Sequence, residues 1–379
     1  MKILRICSVP LSLIGYKSFL RDLAQHSDVS MHIATSFDEQ VSLLKQDEFY
    51  EMQRLEIKRE IDPLSDIISI LKAIFLINKI RPDITHSNTP KGGLVSAISS
   101  FVCRVPVRIH TFTGQRWITL NGFKRKLLMF VDRLIILLST HVLADSPSQA
   151  DFLNSELGID KVKCLGEGSF GGIDLNKFNS KNVNEKVVRG ELGFKDSDFV
   201  ILYLGRISKD KGIEELIQAF IELNSHNLKL LLVGPYEKNL DPISEAYEEI
   251  ISDNTSIKRV DFTDQPEKYF SVCNLFCLPS YREGFGTVIL EAAAFSKASL
   301  GSDIYGIRDA ILHQDTGLLF NPKSVDDLKE KISFVVNNPV EWKSYGENAY
   351  KRLLNHFDYK LMSKNYADFY RSCLSEKSL

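Results

Sequence analysis

Apolar positions along the chain alternate between two rhythms. Short continuous apolar runs end in polar, often glycine-containing loops, and longer stretches with apolar residues every three or four positions follow. Residues 3–9 read as a strand, 10–15 as a turn and 16–25 as an amphipathic helix. Residues 31–35 predict a second strand, 64–80 a helix, and 82–87 a short strand ending in polar residues. A loop containing Lys91, Gly92 and Gly93 leads into a helical stretch at 94–102, followed by strands at 105–112 and 142–146 and a helix opening at Ser146. Strands and helices alternating in this way build a parallel, doubly wound sheet.

Residues 166–172, Gly-Glu-Gly-Ser-Phe-Gly-Gly, form the clearest linker signal and predict a domain boundary. A second alternating pattern follows. It places strands at 199–204, 228–233, 260–263, 275–280, 298–302 and 318–320, and helices at 213–223, from 287 and from 325. The last stretch, 358–373, is helical and rich in aromatics. The stretch from Leu275 to Ala294 reads strand, polar loop, glycines, helix. Glycines let the backbone approach a ligand, and a new helix offers unpaired N–H groups to an anion. Glu283 and Glu291 bracket that place and, as carboxylates, are expected to face neutral hydroxyls of the same ligand.

Composition and charge add two constraints. The chain has 379 residues, enough for two domains, with 44% hydrophobic and 25% charged residues, the profile of a soluble globular protein. The net charge of −2 is unevenly placed: residues 1–172 hold 21 Lys/Arg against 18 Asp/Glu, the remainder 26 against 31. Residues 91–144 alone carry eight basic residues and one acid, Asp132, which predicts an anionic partner for the first half. Six scattered cysteines read as reduced, cytosolic thiols, and Cys273 and Cys277 as small core residues rather than metal ligands. No signal peptide or membrane span is legible; the longest apolar runs, 127–131 and 134–138, are interrupted by Asp132 and Arg133.

Residues 205–212, Gly-Arg-Ile-Ser-Lys-Asp-Lys-Gly, lie at the predicted carboxyl end of a strand, like Glu283. Arg206 offers a planar fork and Lys211 a point charge to a diphosphate, and with a helix N-terminus they would neutralise a diphosphate leaving group. Asp196 and Asp198 precede their strand and predict a turn, away from the site.

On these residues the chain resembles the retaining, nucleotide-sugar-dependent glycosyltransferases of family four. The resemblance rests on Gly205-Arg206 with Lys211-Gly212, on Glu283 and Glu291 around Gly284-Phe285-Gly286, and on Gly317-Leu318-Leu319. Residues 83–93 and 280–286 are similar to those of enzymes that extend a polyprenyl-diphosphate-linked saccharide in capsule or O-antigen synthesis. The resemblance implies an α/β GT-B architecture, two Rossmann-like doubly wound domains facing each other across a cleft. It implies an acceptor-binding domain over 1–172, a nucleotide-sugar-binding domain over 173–357, and a C-terminal helix, 358–379, returning to the first domain.

Carried over by position, it implies that Arg206 and Lys211 hold the diphosphate of a UDP-linked sugar. Phe285, Gly286 and Thr287, after Gly284, would meet sugar and phosphate through backbone N–H groups. Glu291 would take the ribose hydroxyls, and Glu283 would face the transferred sugar where oxocarbenium character develops. Neither cofactor nor metal is implied, and no nucleic acid. Relatives often carry a histidine just before the glycine that is Gly114 here; this chain has Thr113 there and His110 three residues earlier. His110 is therefore both a catalytic candidate and a core-histidine candidate, with His86 a second alternative. Lys91, Gly92 and Arg116 are the candidate acceptor-side residues, suited to a lipid carrier's diphosphate. Residues 116–133 mix cations with apolar bulk, as an interfacial helix on an anionic membrane does, and equally as a packed helix with one solvated basic face. The implied place of action is the cytoplasmic face of the membrane, as a peripheral protein. The alternatives weighed are a nucleotide-sugar epimerase on the same fold and a non-catalytic nucleotide-sugar-binding subunit.

Overall fold

The computed structural model describes residues 1–38, 41–45, 48–58, 62–238 and 241–376. The chain forms two compact units, Met1–Gly172 with Tyr359–Leu379, and Ile173–Asp358. The last three residues of the expected C-terminal helix, 377–379, lie outside the described residues.

In the first unit, seven parallel strands are β1 (Lys2–Ile6), β2 (Ser30–Thr35), β3 (Tyr50–Arg54), β4 (Ile84–Ser87), β5 (Val107–Phe112), β6 (His141–Ala144) and β7 (Val162–Cys164). Their order is β3-β2-β1-β4-β5-β6-β7. Both faces are covered. On one face Phe19 of the Lys17–Ala24 helix meets Tyr366 of the Tyr359–Ser375 helix at 5.4 Å between ring centroids. That last helix buries Met362, Tyr366, Ala367, Tyr370 and Cys373, spaced three or four apart, in this core. On the other face lie the helices Pro63–Ile80, Pro90–Val102 and Gly122–Leu138.

The second unit holds six parallel strands, β8 (Phe199–Leu204), β9 (Leu228–Val233), β10 (Ile257–Val260), β11 (Leu275–Leu278), β12 (Ser299–Ser302) and β13 (Gly317–Phe320), ordered β10-β9-β8-β11-β12-β13. Val200, Ile201, Leu202 and Tyr203 are all buried, the continuous apolar run of a strand covered on both faces. The expected strand at 260–263 is instead β10, three residues earlier: Ile257 is buried, whereas Asp261 and Phe262 are exposed. Asp198 accepts from the Lys195 N–H at 2.8 Å, a turn before β8. The six cysteines are free thiols, Cys273 and Cys277 fully buried.

Sequence order reverses at two places, β1 beside β4 and β8 beside β11. In open parallel sheets a ligand crevice forms at the carboxyl edge of such a reversal, because the flanking connections leave to opposite faces.

Candidate active site

β8 and β11 pair directly, Ile201 opposite Leu275 and Leu202 opposite Phe276, so the loops that follow them meet. The first loop tightens into a turn at Lys209–Lys211 and ends at Gly212, in the left-handed region at φ 67°. A Cβ there would stand 2.1 Å from the Pro279 carbonyl oxygen, so only glycine allows this approach. Across the contact Tyr281 N–H donates to the Asp210 carbonyl at 2.9 Å.

Lys211 Nζ lies 2.5 Å from Glu283 Oε1, and Ser280 Oγ donates to the same oxygen at 2.9 Å. Beside them Arg282 Nη2 donates to Asp210 Oδ2 at 2.6 Å, and Ser208 Oγ to Asp210 Oδ1 at 2.6 Å. Burial pushes the Asp210 carboxyl up, but Arg282, the Ser208 hydroxyl, Lys211 and Arg206 outweigh it and hold the group below its ordinary range. Beneath the cluster Tyr203 hydroxyl donates to the Arg206 carbonyl at 2.7 Å; burial and the Glu283 charge keep it protonated far above its usual range. The Arg206 guanidinium, half-exposed, pairs with Glu237 Oε2 at 2.9 Å. The structure thus brings Lys211 and Glu283 into contact and roots Arg206 in the same loop.

The glycines after Glu283 open the Thr287–Ala294 helix. Gly286 occupies its N-cap at φ 82°, without a side-chain cap, and its carbonyl accepts from the Ile289 N–H at 2.8 Å. Phe285 is fully buried, 5.3 Å from the Phe357 ring, so only its backbone can face a ligand. Glu291 sits one turn beyond Thr287. Its Oε2 is buried without a hydrogen-bond partner, and burial, against Lys177 and aided by Glu267, pushes the carboxyl up to about 7. A buried carboxyl left unpartnered is a demand for hydroxyl donors.

In the first unit the candidates are dispersed. Lys91 Nζ is held by both Asp66 oxygens, at 2.6 and 2.9 Å. Gly92 is a packing glycine: a Cβ would lie 2.5 Å from Thr89 Oγ1 and 3.1 Å from the Cys7 Cα. Arg116 is exposed in the turn Arg116–Thr119. His110 is buried, its Nδ1 2.9 Å from Ser87 Oγ, its ring edge-on to Phe112 and against Gly93. Burial lowers its pKa to about 3. The structure therefore puts the His110 ring in the interior, in its neutral form. His86 is buried likewise, between Tyr370 hydroxyl at 2.6 Å and Thr111 Oγ1 at 2.8 Å.

Sequence reasoning missed Asp210, Ser280 and Arg282. Asp210 and Arg282 flank Lys211 and Glu283 in the chain, but nothing in the sequence announces a pair 72 residues apart.

The model of the family described as glycosyl transferases group 1 matches residues 184–352, which include all of this cluster. The capsular polysaccharide biosynthesis glycosyltransferase CapM of Staphylococcus aureus is 32% identical over 373 residues, 97% of this chain and 95% of that protein. The N,N'-diacetylbacillosaminyl-diphospho-undecaprenol alpha-1,3-N-acetylgalactosaminyltransferase of Campylobacter jejuni is 26% identical over 314 residues, 79% of this chain and 81% of that one. Among solved structures, Anabaena HepE in complex with UDP-glucose superposes with a TM-score of 0.79 at 21% identity, over 98% of this chain and 100% of that one. Two parallel α/β units, a cationic switch-point loop facing a glutamate, and a relative matched along nearly the whole length leave one conclusion: the chain belongs to the group 1 glycosyltransferases, in the GT-B fold.

Proposed function

We propose that the chain transfers a sugar, with retention of anomeric configuration and without a metal, from a UDP-linked donor to a polyprenyl-diphosphate-linked saccharide in capsule or O-antigen assembly. The observation that carries this reading is the Lys211–Glu283 contact at the switch point between β8 and β11. It puts a cation suited to a diphosphate against a carboxylate suited to the sugar. Support for the acceptor and donor classes comes from the relatives, one named for a diphospho-undecaprenol acceptor and one solved with UDP-glucose.

In this reading Lys211 and Arg206 receive the diphosphate, with the N–H groups of Phe285, Gly286 and Thr287 completing the anion site. The buried carboxylate of Glu291 accepts the ribose hydroxyls. The bond between the anomeric carbon and the diphosphate oxygen breaks as the acceptor oxygen bonds to the same carbon from the same face. The acceptor's proton passes to the departing phosphate oxygen, and Glu283 stabilises the positive charge that develops on the sugar. On the acceptor side Lys91 and Arg116 stand for the carrier diphosphate, and residues 116–133 for contact with an anionic membrane at the cytoplasmic face.

The test is to offer labelled UDP-sugars to the purified chain with a polyprenyl-diphosphate saccharide. Labelled lipid product with the donor's anomeric configuration supports the reading. Epimerised free donor, or donor that binds and stays unchanged, overturns it.

A further inference from the structure

The Pro63–Ile80 helix is apolar on two opposite faces. Ala73, Leu76, Ile77 and Ile80 are buried against Leu4 and Ile6 of β1. The other face presents Leu64, Ile67, Ile68, Leu71 and Phe75, each 53–76% exposed. Their spacing of three or four residues aligns them in one stripe, about 17 Å long at the helical rise. Single exposed apolar residues are ordinary, but five large ones in a row on one helix are not.

The stripe extends sideways. Cys103 Sγ lies 3.8 Å from the Ile74 carbonyl, which brings the exposed Phe101 and Val102 beside the helix's C-terminal half. Exposed cations fringe it: Lys72 and Lys79 on the same helix, and Arg104 just after Val102. From 62 to 138 the chain holds eleven Lys/Arg against four Asp/Glu. Each of those acids has a partner: Asp62 the Ser65 N–H and Lys58, Asp66 Lys91, Asp83 the Lys2 N–H, and Asp132 the Trp117 indole.

We infer that this stripe is the surface by which the chain docks on an anionic lipid bilayer, its apolar side chains entering the headgroup boundary and Lys72, Lys79 and Arg104 meeting lipid phosphates. The inference rests on the reading that the acceptor is lipid-linked, and it adds the stripe as the principal membrane contact beside residues 116–133, where Phe123 and Phe130 are exposed as well. There Arg125 is paired with Glu156 at 2.9 Å and lies over the ring of Trp117, which is itself buried. A second copy of the chain is the poorer occupant, because the same surplus of positive charge would face itself. The Lys91–Asp66 pair ties the Leu64 end of the stripe to the first turn of the Pro90–Val102 helix after β4. Docking there would deliver a membrane-held diphosphate to the acceptor residues.

The test floats the full chain with phosphatidylcholine vesicles and with the same vesicles containing phosphatidylglycerol. It compares wild type, a Leu64→Ser/Leu71→Ser/Phe75→Ser variant and a Lys124→Ser/Lys126→Ser variant. Exposed positions leave the melting temperature unchanged. The stripe variant is expected to lose at least about tenfold in partitioning onto phosphatidylglycerol vesicles, equal to about 1.4 kcal/mol, and the lysine variant to keep most of it. The stripe variant also keeps transfer to a water-soluble, short-chain acceptor and loses it on a vesicle-embedded one. Wild-type partitioning by the stripe variant overturns the inference, as does a solution dimer that the same substitutions dissociate. Vesicle binding through the stripe with no sugar transfer to either acceptor refutes the proposed reaction and leaves the docking surface standing.

Discussion

Replacing Glu291 by glutamine separates what its carboxylate costs the fold from what it gives the ligand. Burial, with only partial relief from Lys177, carries its pKa from the ordinary 4.5 to about 7. Between those values the folded chain holds a proton that the unfolded chain has released, so stability falls as pH rises from 4.5 to 7 and is level above. The full displacement corresponds to roughly 3 kcal/mol. Glu291→Gln removes that pH-dependent cost. The variant should gain about 1 kcal/mol at pH 5.5 and about 3 kcal/mol at pH 8, the latter worth ~6–12 °C in melting temperature for a unit of this size. If ribose hydroxyls donate to the carboxylate, binding favours its charged form and expels the proton. A group titrating near 7 is ~90% protonated at pH 6, so the wild type should release up to about 0.9 more proton per UDP than the variant. Calorimetry at pH 6 in buffers of different ionisation enthalpy measures that difference, and comparison with the variant cancels UDP's own titration. Equal proton release by the two proteins refutes the assignment of Glu291 to the ribose, and a stability difference that does not change with pH refutes its raised pKa.

Lys211→Ala should weaken UDP binding by roughly 10- to 150-fold, the range of a charge-assisted contact, with little change in melting temperature; calorimetric affinity within threefold of wild type removes Lys211 from the diphosphate site. Gly212→Ala forces a side chain into the left-handed region and against the Pro279 carbonyl. It should cost ~2 kcal/mol or more in urea unfolding and reduce turnover by parting the two loops; an unchanged unfolding midpoint contradicts that geometry.

The second unit was the more legible in the sequence. Phe199–Leu204, Ile213–Leu223 and Leu228–Val233 match the residues read from the apolar runs. Strands covered on both faces are written as unbroken apolar stretches, and Gly205, Gly212 and Gly234 punctuate them. Of the edge strands β13 was read, whereas β3 and β7 were missed and β10 was displaced. β3 reads Tyr-Glu-Met-Gln-Arg and β10 Ile-Lys-Arg-Val, half solvated and without an apolar run. The helices Glu185–Leu192, Glu245–Asp253 and Pro339–His356 also went unread, their apolar face diluted by charged residues. The Pro63–Ile80 helix shows a further limit. Apolar residues at helical spacing announce a helix, but a helix apolar on both sides does not say which side the sheet covers. Among the site residues, Lys211 and Glu283 were legible because their loops end neighbouring strands of a doubly wound pattern. Asp210 and Arg282 were not, because a long-range ion pair leaves no periodic trace.

The most direct test of the account is the single-turnover rate of sugar transfer from a UDP donor to a polyprenyl-diphosphate acceptor, compared between wild type and Glu283→Gln. Loss of at least ~100-fold at an unchanged melting temperature is the predicted result, about the effect of removing one charge-stabilising group from a transition state. A rate within threefold of wild type would contradict the account, since a carboxylate 2.5 Å from Lys211 would then stand beside the reacting sugar without acting on it.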